Sequence, residues 1–314
     1  MRSKVLSLLL LIVLLASAAC IPQATPTSPT TAPETVAATQ APVPTAIPPT
    51  EAPITVPPTQ APTQTPPSAK TLTVLAAASL TESFTELGKM FETQNPGVKV
   101  SISFAGSQQL AQQLNQGVDA DVFASASPKY MDAAVTSKRV NEEDAKTFVK
   151  NRLVVIFPKD NPANPAGLKE LKDLAKPGLK LDLADKAVPV GQYALDFLDK
   201  AVKDPGFGPQ FKDNVLKNVV SYEDNVKAVV TKVSLGEVDA GIVYVTDVTV
   251  AAAQKIGKLD IPDALNTVAT YPIAPIFDSK NIDLAKAFVA LVLSPDGQAV
   301  MSKYGFIPAA EGSK

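Results

Sequence analysis

The chain has 314 residues, a nearly balanced charge (29 Lys and Arg against 31 Asp and Glu) and neither histidine nor tryptophan. Its scattered Lys and Arg offer no basic tract to nucleic acid, and without histidine the usual general base and metal ligand is missing. A single cysteine, Cys20, allows no intramolecular disulfide and leaves a thiolate metal cage without ligands.

Arg2 and Lys4 precede an apolar run from Val5 to Leu15, followed by Ala16-Ser17-Ala18-Ala19-Cys20. A basic start, an apolar centre too short to span a bilayer and small residues at the cut mark a secretory signal over 1–19. Cys20 behind small residues resembles a bacterial lipobox, in which the cysteine is acylated and becomes the mature N-terminus; Ser17 stands where that pattern prefers Leu. The resemblance implies an exported lipoprotein held at the cell membrane through Cys20. From Cys20 to Lys70 half of the 28 prolines gather with Thr, Ala and Gln, and the only charges are Glu34, Glu51 and Lys70. Such a segment cannot bury enough apolar surface to fold, and its prolines favour extended chain, so 20–70 reads as a spacer.

Residues 71–314 suffice for two lobes with their own cores. Leu72-Thr-Val-Leu-Ala-Ala-Ala-Ser79 reads as a strand running into a patch of very small residues. Leu80, Phe84, Leu87 and Phe91 then form one helical stripe. Val98, Val100, Ile102 and Phe104 alternate as a strand. A helix with Leu110, Ala111 and Leu114 follows, closed by Gly117. Strands are expected at Asp121–Ser125 and Leu153–Phe157, then at Leu179–Leu183 and Asp239–Tyr244. Helices are expected near Val190–Val202, Asp224–Leu235 and Asp283–Leu293, with a shorter one reaching Lys303. Tyr271-Pro-Ile-Ala-Pro-Ile276 is extended, its prolines pointing to an edge or crossing strand. Alternation of this kind predicts an α/β fold with mainly parallel sheets, whose ligands sit at the carboxyl ends of strands.

Four helix starts hold the candidate chemistry: Ala76-Ala77-Ala78-Ser79, Ala105-Gly106-Ser107, Pro189-Val190-Gly191 and Glu223-Asp224-Asn225-Val226. A helix start leaves backbone N–H groups unpaired at the positive end of the macrodipole, a natural seat for an anion. Each start also has a plainer reading, since Ser, Asp and Asn are preferred caps. Ser79-x-x-Glu82 in particular fits a capping box, which would spend the serine hydroxyl on its own helix. Asp119 and Asp121 without a nearby histidine are poor metal ligands and read as strand-end anchors.

Val74-Leu-Ala-Ala-Ala-Ser-Leu-Thr81, Ser103-Phe-Ala-Gly-Ser107, Asp119-Ala-Asp-Val-Phe-Ala-Ser125, Gly241-Ile-Val-Tyr244 and Lys303-Tyr-Gly-Phe306 together are similar to the molybdate-binding proteins of bacterial ABC importers. The similarity covers about 71–308. It implies a type II periplasmic-binding-protein fold, two α/β lobes joined by two crossing segments near 152–156 and 246–272. On that template lobe 1 is 71–152 with 247–314, and lobe 2 is 153–246. By the same resemblance a tetrahedral oxyanion is held by the hydroxyls and amides of Ser79 and Ser107, the backbone amides near Val190 and Val226, and the Tyr244 hydroxyl. Val190 stands where the family often has alanine, and Gly106 where a serine is common. Molybdenum enters only as bound molybdate, and no cofactor is implied. The implied partners are molybdate, with tungstate beside it, and an ABC permease with its ATPase, bound by a monomer.

A shell of neutral donors suits a dianion whose oxygens only accept, and charge-assisted hydrogen bonds contribute roughly 1.5–3 kcal/mol each. The same shell disfavours protonated anions, because a P–OH donor would face another donor. Sulfate is left to be excluded by size, so a sulfate or other oxyanion receptor is the alternative. Catalysis is not expected: Gly-x-Ser-x-Gly is missing and no histidine exists to activate a serine.

Overall fold

The computed structural model describes residues 70–160 and 168–309. The expected signal segment, Cys20 and almost all of the spacer lie outside the described residues; Lys70 already opens the first strand.

The strands are β1 (Lys70–Ala77), β2 (Val98–Ala105), β3 (Val122–Ala124), β4 (Lys146–Asn151), β5 (Leu153–Pro158), β6 (Leu181–Ala184), β7 (Val219–Glu223), β8 (Ala240–Tyr244), β9 (Ile256–Asp260), β10 (Ala269–Pro275) and β11 (Ile307–Pro308). Between them run helices α1 (Thr81–Gln94), α2 (Ser107–Asn115), α3 (Pro128–Thr136), α4 (Pro189–Lys203), α5 (Phe211–Lys217), α6 (Val226–Leu235), α7 (Ala252–Lys255), α8 (Ile282–Leu293) and α9 (Pro295–Lys303). They build one six-stranded sheet in the order β11-β4-β10-β3-β1-β2 and one five-stranded sheet in the order β7-β6-β8-β5-β9.

The apolar stripes settle which faces are covered. Phe84, Leu87 and Phe91 of α1 are buried, and Phe91 meets Phe288 of α8 edge-on with ring centres 5.4 Å apart. In the second sheet α6 buries Val226, Val229 and Val233. Gly236 closes α6 in the left-handed region (φ 71°), where a side chain would be strained.

Three expectations need correction. The sheets are mixed rather than mainly parallel: β1 pairs in parallel with β2 and β3, and β6 with β7 and β8, whereas β10, β4, β11, β5 and β9 all pair antiparallel. The antiparallel strands include those by which the chain leaves one sheet and re-enters it, so they run against the βαβ units. Second, of the two readings of Tyr271–Ile276 the edge strand fails: β10 is the strand by which the chain returns to the six-stranded sheet, and it lies inside that sheet between β3 and β4. Its proline is accommodated because the register slips between Tyr271 and Pro272. Third, β9 pairs with β5, so the return to the first sheet falls after Asp260 and not at 246–247; the outgoing passage is Arg152, between β4 and β5.

Candidate functional site

β1 ends in a run of buried alanines, Ala76–Ala78, and their small volume leaves free space beside Ser79. Ser79 sits in the single tight turn Ala78–Leu80 before α1 and is itself buried. Its hydroxyl does not cap α1; Oγ lies 2.9 Å from the Tyr271 Oη on β10. Glu82 is likewise engaged elsewhere, with Lys227 2.9 Å from both carboxylate oxygens. The capping-box alternative is therefore excluded.

Ser107 is the first residue of α2, and its Oγ accepts the Ala126 N–H at 3.0 Å. A hydroxyl has one proton and two lone pairs. With a lone pair of Ser107 already used, its proton has no acceptor among the described residues. Pro189 and Val190 open α4 against the end of β6. A Cβ at Gly191 would stand 2.1 Å from the Asp185 carbonyl oxygen, so only glycine lets the helix begin so close to the strand. In α6 the Asn225 side chain accepts the Ala228 N–H at 3.1 Å, which leaves the first two amides, Val226 and Lys227, without an intrahelical partner. Tyr244 ends β8; its phenol oxygen is fully buried and has no hydrogen-bond partner. Burial holds that phenol well above its usual range, so it stays a neutral O–H.

Ser79, Ser107, Val190, Val226 and Tyr244 all line one small hollow, walled between them by Ala78, Gly106, Ala126, Pro189 and Asn225. Among the described residues no Lys or Arg lines it. Lys227, adjacent to Val226, is held by Glu82 and by the buried Asp247 at 3.2 Å. Burial alone would lower its pKa, but Asp247 and Glu82 raise it above the ordinary value. Its charge is thus neutralised locally instead of being offered to the hollow.

Contacts between the two sheet systems ring the hollow. Gln108 donates to the Asp224 carbonyl at 2.7 Å and Gln109 to the Asp224 carboxylate at 3.0 Å. The Tyr130 hydroxyl donates to the Ala187 carbonyl. A Cβ at position 106 would come within 2.5 Å of the same Asp224 carbonyl, so glycine at this position lets the two sides approach, where a serine would collide. Asp121 is an anchor of the strand end, accepting from the Thr73 N–H at 2.7 Å and the Ser279 hydroxyl at 2.5 Å, while Asp119 pairs with Lys280 at the surface.

Two residues that touch this constellation escaped sequence reasoning, Tyr271 and Asn151. Both sit in strand runs where an aromatic or a single amide reads as packing. The only available signal was a hydroxyl-bearing residue directly before the strand proline.

The sequence profile of the bacterial extracellular solute-binding proteins matches residues 72–307. The chain is a bacterial extracellular solute-binding protein. Among its relatives, the molybdate-binding protein ModA of Mycobacterium tuberculosis is 35% identical over 238 residues, spanning 76% of this chain and 85% of that one. Among solved structures, the substrate-binding domain of a putative molybdenum ABC transporter from Clostridium difficile shares 29% identity at a TM-score of 0.56, covering 76% of this solute-binding protein and 99% of the other. The sulfate-binding protein SubI of Mycobacterium tuberculosis superposes with a TM-score of 0.67 at 17% identity, over 77% and 88% of the two chains, and shares the fold. The fold is that of the periplasmic binding proteins. Membership in an extracellular family places this solute-binding protein outside the cytoplasm, in accord with its basic and apolar N-terminus.

Proposed function

We infer that the protein is the capturing component of an ABC importer and that its cargo is molybdate, with tungstate bound about as well. The observation that carries this reading is the hollow itself: hydroxyls of Ser107 and Tyr244 with protons unspent, free amides at the starts of α4 and α6, and no cationic side chain in the wall. Such a shell is complementary to a small dianion that only accepts hydrogen bonds. The likeness to a molybdate-binding protein at 35% identity and to the substrate-binding domain of a putative molybdenum transporter at 29% supports this choice of anion.

In this reading Ser79, Ser107 and Tyr244 give hydroxyl donors, and Val190 and Val226 give backbone donors. The ring of contacts from Gln108, Gln109 and Tyr130 closes over the bound ion. Cys20 would tether the protein to the membrane beside the permease.

A thermal-shift panel tests the reading. Ligand at about a hundred times its Kd stabilises by about 2.7 kcal/mol, which for a domain of this size corresponds to a rise in Tm of about 5–10 °C. Molybdate and tungstate are expected to give that rise, with sulfate and phosphate giving little at the same concentration. A sulfate response equal to that of molybdate would transfer the assignment to sulfate, and no response to any of the four would remove it.

A further inference from the structure

The direction of the Ser79 hydroxyl proton is determined by its neighbours. Ser79 Oγ and Tyr271 Oη are 2.9 Å apart, and either could donate. Tyr271 Oη has one other partner among the described residues, the Asn151 Nδ2 at 3.3 Å. The orientation of that amide is set by its other contacts: Asn151 Oδ1 accepts the Arg152 N–H at 2.9 Å, and Nδ2 also donates to the Thr246 hydroxyl oxygen at 2.8 Å. A flipped amide would put N–H against N–H. Asn151 therefore donates to Tyr271 and cannot accept its proton. Tyr244, whose ring packs edge-on at 5.9 Å from that of Tyr271, has no partner in hydrogen-bonding geometry among the described residues, although its phenol is near enough to that of Tyr271 for the two to interact.

Among the described residues the one acceptor in hydrogen-bonding geometry for the phenolic proton of Tyr271 is Ser79 Oγ. Tyr271 is fully buried, and burial keeps its phenol far above the usual range, so that proton is present at every physiological pH. The Ser79 proton is then turned away from Tyr271 toward the hollow that Ser79 lines.

We propose that Tyr271 is a positioning residue that fixes Ser79 as a hydrogen-bond donor into the anion hollow and so selects against anions that carry a proton of their own. The chain of donors runs from Asn151 through Tyr271 and Ser79 to the ligand. With one lone pair of Ser79 taken by the Tyr271 proton, Ser79 could accept from hydrogen phosphate only through its second lone pair, with its own proton turned out of the hollow to where no acceptor stands among the described residues. The arrangement also ties Ser79 to the chain's passages between the sheets, since Asn151 directly precedes the outgoing residue Arg152 and Tyr271 lies on the returning strand β10. This proposal rests on the reading of the hollow as an oxyanion site.

A double-mutant cycle tests it, with molybdate affinity measured by isothermal titration for the full chain, Ser79→Ala, Tyr271→Phe and the double variant. Tyr271→Phe is expected to weaken molybdate binding about 3- to 10-fold with Ser79 present and less than about twofold in the Ser79→Ala background. It should also narrow the preference for molybdate over hydrogen phosphate at pH 8, a readout that loss of packing alone would not move. Equal losses in both backgrounds, or an unchanged preference, would overturn the proposal. The same cycle with Asn151→Ala keeps the test available should Tyr271→Phe fail to fold; there too a loss confined to the Ser79 background is expected, and multiplying losses refute. Absence of molybdate binding by the unaltered chain would instead sink the oxyanion reading and this proposal with it, whereas loss in Ser79→Ala without coupling to Tyr271 would sink this proposal alone.

Discussion

The two sides of the hollow present their donors in different ways. The six-stranded side offers hydroxyls, Ser79 after β1 and Ser107 at the head of α2, each already accepting or sharing a hydrogen bond with a buried neighbour. The five-stranded side offers mostly backbone: the first turns of α4 and α6, with the Tyr244 phenol beside them. Side-chain donors can be deleted one at a time, and their directions depend on what stands behind them. Main-chain donors survive almost any substitution, which is why valine at 190 is compatible with the site even though the related family often has alanine there.

The largest effect is expected on the hydroxyl side. Ser107→Ala removes one charge-assisted donor and leaves the Ala126 N–H without its acceptor. By the usual worth of such bonds, molybdate affinity should fall about 10- to 100-fold in titration calorimetry. A loss below threefold would mean that the hydroxyl faces something other than the ligand. On the opposite side the matching change is Val226→Pro. Proline is favoured at the first helical position, where its missing N–H would have no intrahelical partner, so α6 should persist. Affinity should nevertheless drop about tenfold, with the circular dichroism of the empty protein nearly unchanged and its Tm lowered only by the loss of the buried Val226 side chain. Retained affinity would show that the Val226 amide is not a contact.

A smaller effect, on stability alone, concerns the support of α6. Asp182 on β6 is fully buried beneath that helix, beside the carboxyl group of Glu223. Burial, and then the neighbouring Glu223 on β7, push its pKa from 3.8 to about 7, against the opposing pull of Lys232 on α6. The folded state therefore holds a proton that the unfolded chain releases between pH 4 and pH 7. The resulting stability is fully present below pH 4 and is lost as pH rises through 7. Asp182→Asn should accordingly raise Tm at pH 8 by several degrees and change it little at pH 4, taking about 2–4 °C per kcal/mol for a domain of this size. Equal shifts at both pH values would assign the effect to packing.

Much of this was legible in the chain. The positions of β1, β2, β3, β5, β6, β8 and β10 and of α1, α2, α4, α6, α8 and α9 followed from apolar periodicity, whereas β4, β7, β9, β11, α3, α5 and α7 were not read from the chain; the helix starts that line the hollow followed from alanine, glycine and proline placement before hydroxyl or amide residues. The order and sense of the strands were not legible, because a short apolar run such as Leu153–Phe157 reads the same in a parallel or an antiparallel partner. The placement of β10 inside a sheet was hidden by its prolines, since a register slip that excuses a proline leaves no mark in the sequence. Tyr271 and Asn151 stayed invisible for a further reason: their role comes from hydrogen bonds across sequence separations of 192 and 120 residues. The Lys227–Glu82 pair, 145 residues apart, is of the same kind.

The central claim is that neutral donors alone, gathered at four helix starts, hold a dianion between the two sheets. The most direct measurement is the anomalous molybdenum signal in crystals grown with molybdate. The account predicts one peak in the hollow, with oxyanion oxygens about 2.5–3.0 Å from the hydroxyls of Ser79, Ser107 and Tyr244 and from the amides of Val190 and Val226. A peak outside the hollow, or one whose nearest protein groups are lysine or arginine side chains, would contradict it.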